Sequence, residues 1–125
     1  MPNTELLRRT LAHIEAHPFQ WDQDSWAIRT ECGTSYCFAG TALMLSEIEP
    51  DWREADRDEA TGDLYTRWAN VGGKTRLISD VAQEALELSD SDAARLFDPY
   101  NDLEALRHIV AQLTAHEPYI ESAEA

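Results

Sequence analysis

Nowhere does this sequence hold eighteen consecutive apolar residues, and its start, Met1-Pro-Asn-Thr-Glu-Leu-Leu-Arg-Arg, has no uninterrupted apolar run. A transmembrane helix and a secretory signal are therefore not expected, and the reading is a cytoplasmic protein with no membrane partner. Basic residues are scarce: ten Lys and Arg face twenty-four Asp and Glu, a formal net charge of −14 and a pI near 4.4. A surface that grips phosphates needs clustered Lys and Arg, so direct nucleic-acid binding is not expected either. Lys74 is the single lysine beside nine arginines, a usage that suits a GC-rich genome. Cysteine is limited to Cys32 and Cys37, and without an export signal reduced thiols are the expectation rather than a structural disulfide. Internal repeats and low-complexity segments are missing. No catalytic motif rises above a weak match, so no enzyme and no cofactor are expected.

What is present is enough for one folded unit. With 125 residues and 43% hydrophobic content, the chain can bury about two-thirds of its unfolded surface as a single domain, 1–125, with residues 117–125 expected to fray. The organising stretch is Glu31–Ile48. Tyr36, Cys37, Phe38, Ala39, Ala42, Leu43, Met44, Leu45 and Ile48 are apolar at nearly every helical angle, which places this helix in the interior. Cys32-Gly33 supplies the approach, and Thr34 or Ser35 is the expected N-cap. The Ala39, Gly40, Ala42 side is nearly bare, so a neighbouring helix is expected close to it, with Gly40→Ala tolerated far better than Gly40→Leu.

Before this helix, Asn3 or Thr4 caps a first helix carrying Leu6, Leu7, Leu11 and Ile14, which stops at His17-Pro18. The connector that follows holds Phe19, Trp21 and Trp26. After the central helix, Glu47–Asp63 sets eight acids against Arg53 and Arg57, the pattern of a solvated loop. Residues 64–79 change period, and Gly72-Gly73 predicts a β-hairpin. Ser79 is the expected cap of the next helix and Ser89 of another, which ends at Asp98-Pro99. Asn101 with Glu104 forms a capping-box pattern for a last helix presenting Leu103, Leu106, Ile109, Val110 and Leu113. The fold class so read is mainly α (α+β): a compact helical domain around a buried central helix, with a small β-hairpin.

The strings H-P-F-Q-W-D-Q-D-S-W and C-G-T-S-Y-C-F-A-G-T-A, with S-D-V-A-Q-E-A-L-E-L-S-D-S-D-A-A-R-L-F later, resemble a group of small proteins of actinobacteria and their phages built on an HPxxWxQ…W…CGTxxCxAG core. The resemblance implies a shared core and an actinobacterial or phage origin, and it brings no activity with it.

Three constellations bear on chemistry. His13 and His17 stand one helical turn apart, and with Cys32 and Cys37 they offer the four ligands of a zinc-stabilised domain. Against this, a thiolate at Cys37 would be buried in an apolar helix, and His17 suits the helix C-terminus. Cys37 near a helix N-terminus, with His108 and Asn101 downstream, would make a cysteine-dependent hydrolase, and C-G-T-S-Y-C-F-A is similar to the string around the catalytic cysteine of papain-like proteases. Here, however, four residues separate the cysteines instead of two, and the apolar pattern of the last helix already accounts for His108. The acids of Glu47–Asp63 would imitate a phosphate backbone if the protein were a DNA-mimic inhibitor of a nucleic-acid-binding protein. The preferred expectation is a small acidic protein-binding module acting on a host or phage macromolecule. Its structural or partner-binding candidates are His17, Trp21, Trp26, Cys32, Gly33, Thr34, Cys37 and Gly40, with no catalytic residue and no metal ligand among them.

Overall fold

The computed structural model describes residues 1–115; the expected frayed tail, 117–125, lies outside the described residues. Helix α1 (Thr4–Ala16) forms as the spacing predicts. The Asn3 side chain accepts from the Leu6 N–H at 3.1 Å, and Leu6, Leu7, Thr10 and Ile14 turn inward as one stripe. Asn3 also reaches the far end of a later helix, its Nδ2 donating to the Ala85 carbonyl and its backbone N–H to Leu86. Pro18 ends the helix and opens a single 3-10 turn, Pro18–Gln20.

The segment after the connector overturns the mainly helical reading. Ala27–Thr30 (β1) and Gly33–Tyr36 (β2) form an antiparallel hairpin whose two-residue turn is Glu31-Cys32. Gly33 has φ +127°, a conformation that side-chain-bearing residues rarely adopt, so the glycine is required inside the hairpin and not in an approach to a helix. Helix α2 (Phe38–Leu45) starts later than expected, and its N-cap is Cys37 rather than Thr34 or Ser35. It is apolar all round as expected, with Phe38 to Leu43 all buried.

The acidic stretch is built into the sheets rather than left as a loop. β3 (Glu49–Pro50), a 3-10 turn over Trp52–Glu54 and β4 (Asp56–Arg57) all fall within it. Two antiparallel sheets result. One runs β2-β1-β5-β4 with β5 at Leu64–Thr66; the other runs β3-β6-β7 with β6 at Trp68–Val71 and β7 at Lys74–Leu77. The predicted hairpin is present as β6–β7, turning on Gly72 and Gly73, both at positive φ. The molecule is therefore α+β, 48% helical and 21% strand, not mainly helical with one hairpin.

Helices α3 (Ile78–Leu86), α4 (Asp90–Leu96) and α5 (Leu103–Thr114) complete it. Ser89 caps α4 as expected, accepting from the Asp92 N–H at 3.2 Å. Two other caps differ. Leu77 precedes α3 with no side-chain bond, because β7 runs straight into the helix. Asp102, not Asn101, caps α5, since the Asn101 amide closes the end of α4 by donating to the carbonyls of Arg95 and Leu96. Helix α2 packs between α1 and α3, and Phe38, Leu7, Leu86, Leu96 and Leu106 at 0% exposure are each worth about 1.5–3 kcal/mol of apolar transfer. Buried Thr10, Thr41 and Thr114 return their hydroxyls to carbonyls one turn back, so they enter the core with their polar atoms paired. No helix among the described residues is long and apolar enough to cross a membrane.

Candidate functional site

The connector between α1 and β1 holds the residue that ties the site together. Gln23 is buried, and its Oε1 accepts from the Trp21 indole Nε1 at 2.9 Å and from the Phe38 backbone N–H at 3.1 Å. Its Nε2 donates to the carbonyls of Leu96 and Asp98, each at 3.1 Å. A side-chain amide offers two acceptor and two donor positions, and here all are filled. One residue thus joins the connector, the first turn of α2 and the end of α4. Trp21, half-buried and bonded inward, serves this junction rather than standing exposed for a partner.

Cys37 completes the start of α2. Its Sγ accepts from the Gly40 N–H at 3.5 Å and faces the Trp26 carbonyl at 3.9 Å. Burial pushes its thiol up to about 12, overriding the backbone N–H groups that pull the other way. Cys37 therefore stands as a neutral cap. Gly40 is required at the next position: a Cβ there would lie 2.2 Å from the Trp26 carbonyl oxygen and 3.1 Å from Tyr36 Cβ. At Gly40, therefore, α2 receives the backbone before β1.

Outside this junction the chain leaves a groove. The Trp26 ring stands edge-on to Phe97, centroids 6.1 Å apart at 84°, and the two rings wall a hollow of about 520 Å³ against α3 and α4. Pro99 and Tyr100 continue the wall, and Tyr100 is 95% exposed. The charged residues lining it are Asp80, Asp90 and Asp98, and no Lys or Arg joins them. Asp90 accepts from Gln83 Nε2 at 2.7 Å and Asp98 from the Tyr100 N–H at 2.8 Å, and none of the three is ion-paired with a described residue. A pit of about 110 Å³ shares Trp26, Phe97 and Pro99 and reaches Gln23 and Cys37 below. A further cleft of about 350 Å³ lies on the β5 side of the same Trp26.

A second buried polar centre is Asp51, 2% exposed. Its Oδ1 accepts from the Arg53 N–H and Nε, and its Oδ2 from Arg53 Nη2 at 2.8 Å and the Thr75 hydroxyl at 2.6 Å. Arg53 first and Thr75 second hold this carboxyl far below the usual carboxylate range. Its lone pairs are taken, so it anchors the 3-10 turn to β7 and offers no free base.

Of the residues singled out from sequence, Trp21, Trp26, Cys37 and Gly40 are brought together, and His17, Cys32, Gly33 and Thr34 are not. His17 is exposed at the end of α1, its ring stacked on His13 at 4.3 Å and its Nδ1 against the His13 carbonyl. Cys32 is exposed in the hairpin turn while Cys37 is buried beyond β2, and both thiols are free. Among the described residues no group of three or more His, Cys, Asp or Glu is placed to hold a metal ion, so the four zinc candidates are not assembled. His108 is exposed on α5 and the Asn101 amide is occupied, so neither meets Cys37 as base or orienter. Gln23, Phe97 and Tyr100, which complete the junction and the groove, are not among the candidates singled out from sequence, although Gln23 is the Gln of the HPxxWxQ string and Phe97 closes the later one. No protein-family model, curated protein or solved structure matches the chain, so the reading of the groove rests on its geometry.

Proposed function

We propose that the protein is a non-enzymatic cytoplasmic binding module that takes a basic segment of a partner protein into the groove walled by Trp26, Phe97 and Tyr100. The observation that carries this is the combination in one hollow of aromatic walls, an almost fully exposed Tyr100 and three carboxylates with no Lys or Arg in the lining. Aromatic rings give large contact area at low entropy cost, and unpaired carboxylates beside them favour an Arg or Lys that can also lie over a ring face. The net charge of −14 supports the same sign of partner by steering basic surfaces inward over long range. The neutral, buried Cys37 supports a non-catalytic reading. The resemblance of the sequence to small proteins of actinobacteria and their phages suggests that the partner is a host or phage protein.

The test places a photo-crosslinking phenylalanine analogue at Tyr100, and in separate variants at Glu59 and at Ala111, and exposes each to lysate of an actinobacterial host. Capture of one protein from position 100 alone, through a peptide rich in Arg or Lys, is expected. Capture from position 59 alone would assign binding to the acidic β4–β5 turn and favour the DNA mimic. Equal capture from all three positions would remove the groove from consideration.

A further inference from the structure

A separate cleft of about 330 Å³, sharing no residue with the groove, opens where the β1–β2 hairpin meets the end of α2 and the chain leading into β3. Arg29 and Thr34 are directly paired across the hairpin, and Tyr36 lies two residues further along the same strand face. The Arg29 guanidinium stands 4.2 Å from the Trp52 ring centroid, and no hydrogen bond or ion pair ties it to a described residue. A guanidinium held over a ring without a hydrogen-bond partner keeps its N–H donors for a ligand, and their fork matches a carboxylate. Glu47 and Glu49 line the same cleft, neither of them ion-paired with a described residue. Neither of the hydroxyls of Thr34 and Tyr36 makes a hydrogen bond within the described chain, although Tyr36 is half-buried. Burial raises its phenol above the ordinary range, with Arg29 offsetting and Glu49 adding, so the hydroxyl stays protonated and able to donate.

Charges of both signs that line one hollow usually pair with each other. Here no ion pair joins them, and Met44, Ile48 and Pro50 line the same cleft. We infer that this cleft binds a small zwitterion on an apolar body, of the size of a free amino acid, its carboxylate on Arg29, its ammonium on Glu47 and Glu49, and its side chain against Trp52. The volume is at the lower end of small-molecule sites, and the lining mixes polar and charged groups with Met44, Ile48, Pro50 and Trp52. Glu47 itself sits at φ +62°, in the turn that follows α2.

The experiment is an NMR titration of the whole chain with L-phenylalanine, 3-phenylpropionate and phenethylamine, following the Arg29 Nε–H and the Trp52 indole N–H. Saturable shifts of both signals are expected with L-phenylalanine, and affinities about tenfold or more weaker with either single-charge analogue. Arg29→Gln, a change at an exposed side chain, is expected to reduce L-phenylalanine to the level of the amine. A double change of Glu47 and Glu49 to Gln is expected to reduce it to the level of the acid. Absence of saturable shifts up to about 10 mM, an affinity too weak for a specific small-ligand site, overturns the inference. Either analogue binding as tightly as the zwitterion overturns it as well, and neither result touches the groove.

Discussion

At the scale of single residues, two positions are fixed by what they touch rather than by what they are. Gly40 faces a backbone carbonyl, and an added methyl 2.2 Å from that oxygen cannot be relieved by turning a side chain. Gly40→Ala is therefore expected to lose about 1–3 kcal/mol and Gly40→Leu more, whereas sequence alone had made Ala the tolerated change. Equal melting temperatures for the wild type and Gly40→Ala would refute the close approach of Trp26 to α2. Asp51 belongs to an acid-rich stretch with the pattern of a solvated loop, but it is a buried acceptor of four hydrogen bonds from Arg53 and Thr75. Its folded pKa is depressed below that of the unfolded chain, so its contribution is fully present above about pH 4 and is lost as pH falls below that value. Asp51→Asn should melt about 5 °C or more below wild type at pH 7, and the gap should narrow in scans taken from pH 5 down to pH 3. A gap independent of pH would mean that the charge of Asp51 is not what Arg53 and Thr75 hold.

Among the secondary-structure elements, legibility followed the range of the interaction. Helix α2 could be read because its residues are apolar at every angle, and the β6–β7 hairpin because Gly72-Gly73 is a local turn signal. The β1–β2 hairpin could not: its turn is Glu31-Cys32, and Gly33, coming one residue late, resembled the entry to a helix. The junction at Gln23 was legible only as the Gln of the HPxxWxQ string, because nothing local to a connector says that the ends of α2 and α4 will close on it. Gln23→Glu tests the junction with almost no change of shape. It removes both donors and sets a carboxylate against the carbonyls of Leu96 and Asp98. The new carboxyl should be pushed up in the folded state by burial and those carbonyls, so the variant's deficit should be small near pH 4 and grow toward pH 7. At pH 7 the loss should reach about 1–3 kcal/mol, read from urea unfolding, and a deficit already complete at pH 4 would contradict this geometry.

For the whole molecule, the groove and the acidic surface make different demands on the same negative charge. Carboxylates distributed over the surface act at long range and are screened within about 8–10 Å at ordinary salt, so they set how fast a basic partner arrives. Rings in a groove act on contact and set how slowly it leaves. The acids of the β4–β5 turn are held more firmly than a flexible loop would hold them, Asp58 accepting from the Ala60 N–H at 2.9 Å and Arg57 donating to the Gly62 carbonyl at 3.1 Å. They are few, however, and Asp51 is no longer among them. Replacing Glu54, Asp58 and Glu59 by their amides should therefore leave the fold intact, since exposed charges contribute little to stability. With the partner identified by cross-linking, stopped-flow kinetics should show the amide variant associating about tenfold more slowly at low salt, converging on wild type as salt is raised, with dissociation unchanged. Tyr100→Ala should do the reverse, leaving association near wild type and speeding dissociation about tenfold or more. If the amide variant instead dissociates faster while Tyr100→Ala behaves as wild type, the acidic turn is the contact surface and the DNA-mimic reading replaces the groove.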